Sequence, residues 1–401
     1  MTTAVAPVLR PRGKVVARLG RGDRSASGLW FWEIDRVLLT LVIVLLSIGL
    51  IAVMAASPAT AQRYSGGSIT IAPLLYFWKQ LMWVCLGIPV MILVSMMPHL
   101  MARRFAMGGA AFFSVFIAVA PLIGVEVNGA VRWIDVGVGQ FQPSEFFKPF
   151  YIVTLAWFLS LRSNDADLPV FPLSFLVTLV IAAFLMMQPD FGQTIILLTM
   201  WMAMVMIAGI PGRYIGMLLG GGVGFILLAY FTYSTATVRI NNFLFGDGDS
   251  YQVDMAHATI SGGGFLGTGP GGGEHKFRLP EAHTDYIFSV IGEEFGLIAC
   301  MAVAFVFLAI AVRVFLRLLD EEDGFIILAA GGLAMEVVVQ AMINMAVNVG
   351  IAPSKGMTLP FVSYGGSSML ALCIGWGLLL AFTRKNPYLG RSPYVVKWRD
   401  K

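Results

Sequence analysis

Long apolar runs, broken by short polar joints, fill the chain from residue 34 to residue 384. A run of 18 or more apolar residues can cross a hydrocarbon core of about 30 Å at about 1.5 Å per residue. Inside lipid every backbone polar group needs an internal partner, so such runs are helices. A membrane β-barrel is excluded, because its strands alternate apolar and polar over about 10 residues. The pattern predicts ten transmembrane helices, at 34–55, 74–97, 107–125, 144–161, 170–188, 191–210, 213–233, 286–316, 324–350 and 366–384. Two joints are tight turns, "QPDFG" at 188–192 and "GIPGR" at 209–213. The expected fold class is an all-α polytopic membrane protein of one domain, 31–386, with one long loop at 234–285 between the seventh and eighth spans.

Composition agrees. Of 401 residues, 58% are hydrophobic and 12% charged, against about 25% charged in soluble chains. The basic stretch within 1–30 reads as a disordered tail with no cleavable signal, and 387–401 as a second basic tail. With both termini cytoplasmic, Arg103, Arg104, Arg162, Arg213, Arg313, Arg317 and both tails fall inside, as the positive-inside rule prefers. The loop at 234–285 is then extracytoplasmic. This distribution accounts for the net charge of +4 without a nucleic-acid partner. Cys85, Cys300 and Cys373 lie in apolar runs and read as small core residues. The four histidines show no zinc spacing.

Polar residues stand out against this background. In "RLPEAHTDYIFSVIGEEFG", 278–296, Thr284 reads as an N-cap and Asp285 as part of the first turn of the eighth span. There the helix dipole favours a carboxylate by roughly 0.3–1 kcal/mol. Asp285 is either a helix-starting acid or a general base at the outer face, a role worth about 10²–10⁴ in rate. Glu281 and His283 flank it as supporting candidates. Glu293 and Glu294 enter the membrane edge, either as a hydrogen-bonded structural pair or as participants in chemistry.

In "NGAVRWIDVGVGQFQPSEFFKPF", 128–150, Arg132 and Trp133 suit either an interfacial anchor or a pyrophosphate and its sugar. Glu145 and Lys148 share a helix face and pair with each other or line a polar cavity. Asp190 reads as the cap of the sixth span. The glycine-rich stretch 260–280 has no Walker spacing, but Lys276 and Arg278 favour a phosphate nearby. Arg239 lies on the same outer loop, and Lys355 faces outward. In "SYGGSS", Ser363 and Ser367 open the tenth span, as close packing or as a cavity lining. All these pieces fall on one side of the membrane, where ATP is absent and a substrate must arrive already activated.

Taken in order, "NGAVRWI", "QPSEFFK", "QPDFG", "GGGFLGTG", "LPEAHTDYIFSVIGEEFG" and "LPFVSYGGSS" resemble the signatures of the SEDS family (shape, elongation, division and sporulation) over about residues 30–390. "LPEAHTD", "APSKGMTLPF" and the basic N-terminal tail resemble its division branch more than its elongation branch. The resemblance implies a peptidoglycan glycosyltransferase of the inner membrane that joins lipid II into glycan strands at the septum. The acceptor 4-hydroxyl displaces undecaprenyl pyrophosphate from the anomeric carbon with inversion. The family's essential aspartate falls on Asp285, its Arg-Trp pair on Arg132 and Trp133, and its polar cavity pair on Glu145 and Lys148. Arg132, Lys276 and Lys355 are the expected pyrophosphate contacts. Implied partners are lipid II, the undecaprenyl-linked glycan, a class B penicillin-binding protein and other divisome membrane proteins. The chain departs from the family pattern at "SYQ", 250–252, and in a shortened "GPGGGEHK". Acids beside a pyrophosphate would suit Mg²⁺ or Mn²⁺, although no spacing marks a site. Two other readings stand beside the enzyme: a lipid II flippase, which needs a polar path across the whole bundle, and a non-catalytic divisome scaffold.

Overall fold

The computed structural model describes residues 26–385 apart from 67–69, 128–129, 136, 138–139, 164, 166, 246–250 and 355. Most of the expected N-terminal tail and all of 387–401 therefore lie outside the described residues. The chain divides into two units. The smaller contains α1 (Ala26–Glu33), whose last carbonyl accepts from Lys385 N at 3.2 Å. The larger, Asp35–Thr383, carries everything below.

It runs α2 (Arg36–Tyr64), α3 (Leu75–Ser95), α4 (His99–Ile123), β1 (Val125–Val127), β2 (Ala130–Asp135), β3 (Gln140–Phe141), α5 (Pro143–Ser160), α6 (Val170–Met187), α7 (Phe191–Ile207), α8 (Gly212–Thr232), α9 (Ser234–Phe245), α10 (Tyr251–Gly262), α11 (Ile287–Leu318), α12 (Gly324–Asn348) and α13 (Ser367–Thr383). Each expected span coincides with one of these helices. Among the described residues, seven helices (α2, α3, α4, α6, α8, α11 and α12) are long and apolar enough to cross a membrane, and α7 and α13 are shorter apolar helices. The 18 residues of α5 include the charges Glu145 and Lys148.

Polar residues at the joints set the helix starts. Asp35 accepts from Val37 N at 3.0 Å and Leu38 N at 3.2 Å, capping α2. Asp190 accepts from Gln193 N at 3.3 Å at the start of α7, and Asp323 from Phe325 N at 2.9 Å at the start of α12. Each side chain satisfies an N–H that the helix leaves without a partner. At the end of the bundle where α2 and α12 start, Asp35 also pairs with Arg313 at 2.8 Å and Arg317 at 3.0 Å. Arg103 lies over the Phe325 ring and Arg162 over Phe171. The N-terminus of α11 and the C-terminus of α12 meet at the opposite end, where Asn348 binds Ser289. There α13 starts, buried along nearly its whole length.

Four features differ from the sequence pattern. A three-stranded antiparallel sheet, β1-β2-β3, interrupts the otherwise helical chain after α4. Helix α4 starts at His99 rather than near 107, because Arg103 and Arg104 sit on its first turns. The long loop contains two helices, α9 and α10.

The fourth feature is a break in α11 at Gly296, with φ 78° and ψ 179°. The glycine-rich stretch pairs with two carbonyls and two N–H groups at the break. Thr268 N donates to Glu293 O at 2.9 Å and Gly269 N to Glu294 O at 3.0 Å. Leu297 N donates to Gly264 O at 3.0 Å and Ile298 N to Phe265 O at 3.4 Å. Irregular backbone is tolerable at the membrane edge only with its polar groups paired in this way. Two glycines permit the approach. A Cβ on Gly263 would run into the Gly292 carbonyl, and one on Gly267, at φ 81°, into that of Glu294.

Candidate active site

The glycine-rich stretch is anchored by the two acids of α11. Glu293 accepts from His275 N at 2.7 Å and Lys276 N at 3.0 Å. Glu294 accepts from Gly271 N and pairs with Lys276 Nζ. Lys276 is 2% exposed and Glu294 1%. This corrects the sequence expectation for Lys276: its ammonium is spent on Glu294 and is not presented to a pyrophosphate. Glu293 and Glu294 hold the glycine-rich segment through its backbone and the Lys276 ammonium.

Residues 281–286 form tight turns and not the start of α11. Thr284 N and Tyr286 N both donate to Glu281 O, at 3.1 Å and 3.2 Å. Thr284 is therefore no N-cap: its hydroxyl turns back to Glu281 Oε2 at 2.8 Å. Asp285 lies two residues before the helix. Tyr64 donates to Glu281 Oε1 at 2.7 Å. His283 is buried between Tyr76, at 4.5 Å between ring centroids, and Tyr364, at 5.3 Å. Burial lowers its pKa to about 4, with Glu281 opposing, so it packs as a neutral ring. Ser363 ties this turn to the loop before α13, donating to Thr284 O at 2.6 Å and accepting from Leu359 N at 2.7 Å. Both hydroxyl valences are thus used on backbone. The Ser367 hydroxyl is buried with no hydrogen-bond partner among the described residues.

Asp285 stands apart. Among the described residues its carboxylate has no hydrogen-bond donor, whereas Asp190, Glu145, Glu281, Glu293 and Glu294 each accept one or more. The residue is half-buried, and Gly356 packs so close that an added Cβ would lie 3.2 Å from Asp285 Oδ2. Burial, with help from Glu281, raises its pKa to about 7, and Arg239 and Arg132 pull the other way. Arg239 rises from α9, and its own pKa is lowered by burial and then by Arg132. The two guanidiniums therefore face one region from separate elements. Arg132, on β2, reaches Asp190 Oδ1 at 3.6 Å, and Gln142 holds Asp190 Oδ2 at 2.9 Å. Trp133 follows on β2, half-buried, and Lys355 lies outside the described residues.

Below this layer Lys148 pairs with Glu145 at 3.0 Å and donates to Gln340 Oε1 at 3.0 Å, while Gln193 donates to Glu145. Gln340 belongs to a stripe on α12, Glu336, Gln340, Asn344 and Asn348, all buried. Sequence reading overlooked it. The signal was present: four polar residues spaced four apart in an apolar helix share one face. An apolar cavity of about 840 Å³ between α6, α7 and α8 is lined by no carboxylate and does not include Asp285. A divalent cation would find one free carboxylate facing two guanidiniums, and no group of three His, Cys, Asp or Glu gathers among the described residues. That donor set does not fit a hard cation, so no step below passes through a metal.

Residues 35–388 match the FtsW/RodA/SpoVE family, described as cell cycle proteins. A probable peptidoglycan glycosyltransferase FtsW of Caulobacter vibrioides is 38% identical over 374 residues, covering 92% of this chain and 93% of that one. Its counterpart from Pseudomonas fluorescens is 33% identical over 373 residues, covering 87% of each. Among solved structures, a chain of a peptidoglycan synthase complex that coordinates polymerization and crosslinking superposes with a TM-score of 0.71 at 25% identity, over 87% of this chain and 97% of that one. The rod shape determining protein RodA of Thermus thermophilus superposes with a TM-score of 0.64 at 26% identity, over 87% and 96%. By sequence along nearly its whole length and by its helical architecture, this chain belongs to the FtsW/RodA/SpoVE family, the SEDS proteins.

Proposed function

We propose that this protein polymerises lipid II into glycan strands at the outer face of the cytoplasmic membrane, during septal wall synthesis. It is a peptidoglycan glycosyltransferase and a multi-pass membrane protein, as its relatives and helices indicate. The observation that carries the catalytic assignment is the free carboxylate of Asp285, which faces Arg132 and Arg239 while the other candidate acids are engaged. A pKa near neutrality suits a general base.

In the proposed step the 4-hydroxyl oxygen of the acceptor bonds to the donor's anomeric carbon. Asp285 takes the hydroxyl proton. The bond from that carbon to the pyrophosphate oxygen breaks, and undecaprenyl pyrophosphate leaves with the electron pair. Arg132 and Arg239, whose charges act on Asp285, are the proposed stabilisers of the leaving group's developing charge, since donors held in place before reaction cost no reorganisation. Trp133, the next residue on β2, is a proposed contact to the sugar. Lys148 and Glu145 support the floor of the site, and Lys355 remains a proposed third cation. The basic residues at the far end, Arg103, Arg104, Arg162, Arg313 and Arg317, support a cytoplasmic placement for that end and both termini. A class B penicillin-binding protein is the proposed partner, supported by the synthase complex among the solved neighbours.

The test supplies purified protein and partner with lipid II and measures strand length on gels. Asp285→Asn should abolish polymer while leaving the thermal unfolding transition in place. Wild-type polymer from that variant would refute the assignment. Leaflet exchange of labelled lipid II without polymer from the native protein would favour a flippase.

A further inference from the structure

We infer that Asn344 and Asn348 of α12 are positioning residues for Asp285, holding its backbone from below so that the carboxylate stays unpaired and in place. The inference rests on the catalytic reading of Asp285 above.

The geometry is convergent. Asn344 Nδ2 donates to the Asp285 carbonyl at 2.8 Å and Asn348 Nδ2 to the same oxygen at 3.0 Å. A carbonyl has two acceptor lone pairs, and here both are filled by amides one helical turn apart. No intrahelical bond competes for this oxygen, because Asp285 precedes α11. Each amide also has a second task. Asn344 donates to Met357 O at 2.6 Å, next to Gly356, the residue against the Asp285 carboxylate. Asn348 Oδ1 accepts from Ser289 N at 3.1 Å and Ser289 Oγ at 2.8 Å, capping the start of α11 from outside. One turn further down, Gln340 donates to Thr358 O at 3.0 Å. A single helix thus fixes the Asp285 turn, the first turn of α11 and the loop backbone at Met357 and Thr358 relative to one another. Asn344 and Asn348 are 2% and 0% exposed, so no solvent replaces these bonds.

Helix packing alone would not require this arrangement. Buried amides are costly unless satisfied, and an apolar side chain at both positions would serve simple packing. What the two amides do is tie the Asp285 carbonyl, the Met357 carbonyl and the first turn of α11 to one helix beside the reactive carboxylate. A displacement of about 1 Å at such a group can cost about 100-fold in rate.

The experiment uses the full chain with its partner, lipid II as substrate, and polymerisation measured from pH 5 to 9. Asn344→Ala is expected to lower kcat by about 100-fold while KM changes less than about twofold. It should also move the acid limb of the pH profile downward. The groups facing the Asp285 carboxylate are Glu281 and Tyr286 from its own stretch, Arg132 from β2 and Arg239 from α9. A loosened turn admits water, removes the burial that keeps the proton on, and leaves the two arginines dominant. Mere loss of folded protein would scale the whole profile without shifting the limb. Ser289→Ala, which removes one bond to Asn348 and none to Asp285, should leave limb and kcat near wild type. An unshifted limb with kcat within about threefold of wild type would overturn the inference. So would a profile merely scaled by the unfolded fraction. If Asn344→Ala does not fold, Asn348→Ser carries the same expectation and the same refutation. Because wild type and Asp285→Asn are run alongside, failure of the catalytic reading shows as polymer from Asp285→Asn, separately from either result.

Discussion

Lys276→Met distinguishes two incompatible roles for one cation. In the structure Lys276 Nζ is paired with Glu294 in a fully buried site, and the same carboxylate accepts from Gly271 N. Removing one partner of a buried pair leaves an uncompensated charge and costs about 3–5 kcal/mol. The cost falls on the segment that the pair holds, residues 263–278, which is otherwise attached to α11 by backbone bonds across the Gly296 break and by the Glu293 carboxylate. A penalty of that size shifts the opening equilibrium of the segment by roughly two to four powers of ten. The assay is limited proteolysis and amide exchange of the purified protein in detergent, read segment by segment, with KM for lipid II measured on the same preparation. The segment should become cleavable, and the double variant Lys276→Met/Glu294→Gln should recover much of the protection, since glutamine keeps an acceptor for Gly271 without burying a charge. Had the lysine held the pyrophosphate instead, the single variant would retain native protection and raise KM alone. That result would refute its role as a loop anchor.

Three further outcomes follow from the geometry. Asp285 must be ionised to accept a proton, and its pKa is raised to about 7, so initial rates should climb roughly tenfold per pH unit below that value and level off above it; a flat profile between pH 5 and 8 would contradict the role. Arg239→Gln removes a positive charge that lowers the Asp285 pKa, so the acid limb should move to higher pH while KM rises, and a downward shift in the pH titration would be inconsistent. Ser363→Ala leaves the Leu359 N–H and the Thr284 carbonyl without their shared partner, at about 1–3 kcal/mol, which denaturant unfolding should register without any change in the pH limb.

The apolar runs made the helices legible because hydrophobic length is a local property. The positions of Asp190, Glu145 and Lys148 followed from turn and helix spacing for the same reason. What could not be read locally was which polar partner each residue meets. Lys276 and Arg132 look alike in sequence, each a cation near glycine or tryptophan. One is consumed by Glu294, eighteen residues along and across a helix break. The other stays 28% exposed at its side chain and beside Asp190. The break itself hides inside "GEEFG", where a glycine in an apolar helix usually signals packing. Thr284 misled for a related reason: a Thr-Asp pair before an apolar run resembles a helix start, but Glu281 captures both the threonine hydroxyl and the backbone of the turn. The α12 stripe was legible and was passed over, because amides carry no charge and no motif.

That stripe also bears on how far polarity extends into the bundle. From the Asp285 turn it descends through Asn348, Asn344 and Gln340 to Glu336, where Lys148 and Glu145 supply the nearby charges. Beyond Glu336, the α12 residues from Gly324 to Met335 are all apolar, a length of about 18 Å at 1.5 Å per residue. The charges at the other end, Asp35 with Arg313 and Arg317, pair among themselves. A carrier exposing a charged headgroup alternately to both sides needs polar partners throughout its route. Along α12 the described partners stop about halfway, and two of them, Asn344 and Asn348, converge on the Asp285 carbonyl. An arrangement spent on fixing a single acid in place is of use to a reaction, because pre-organised geometry lowers a barrier, whereas translocation gains nothing from it.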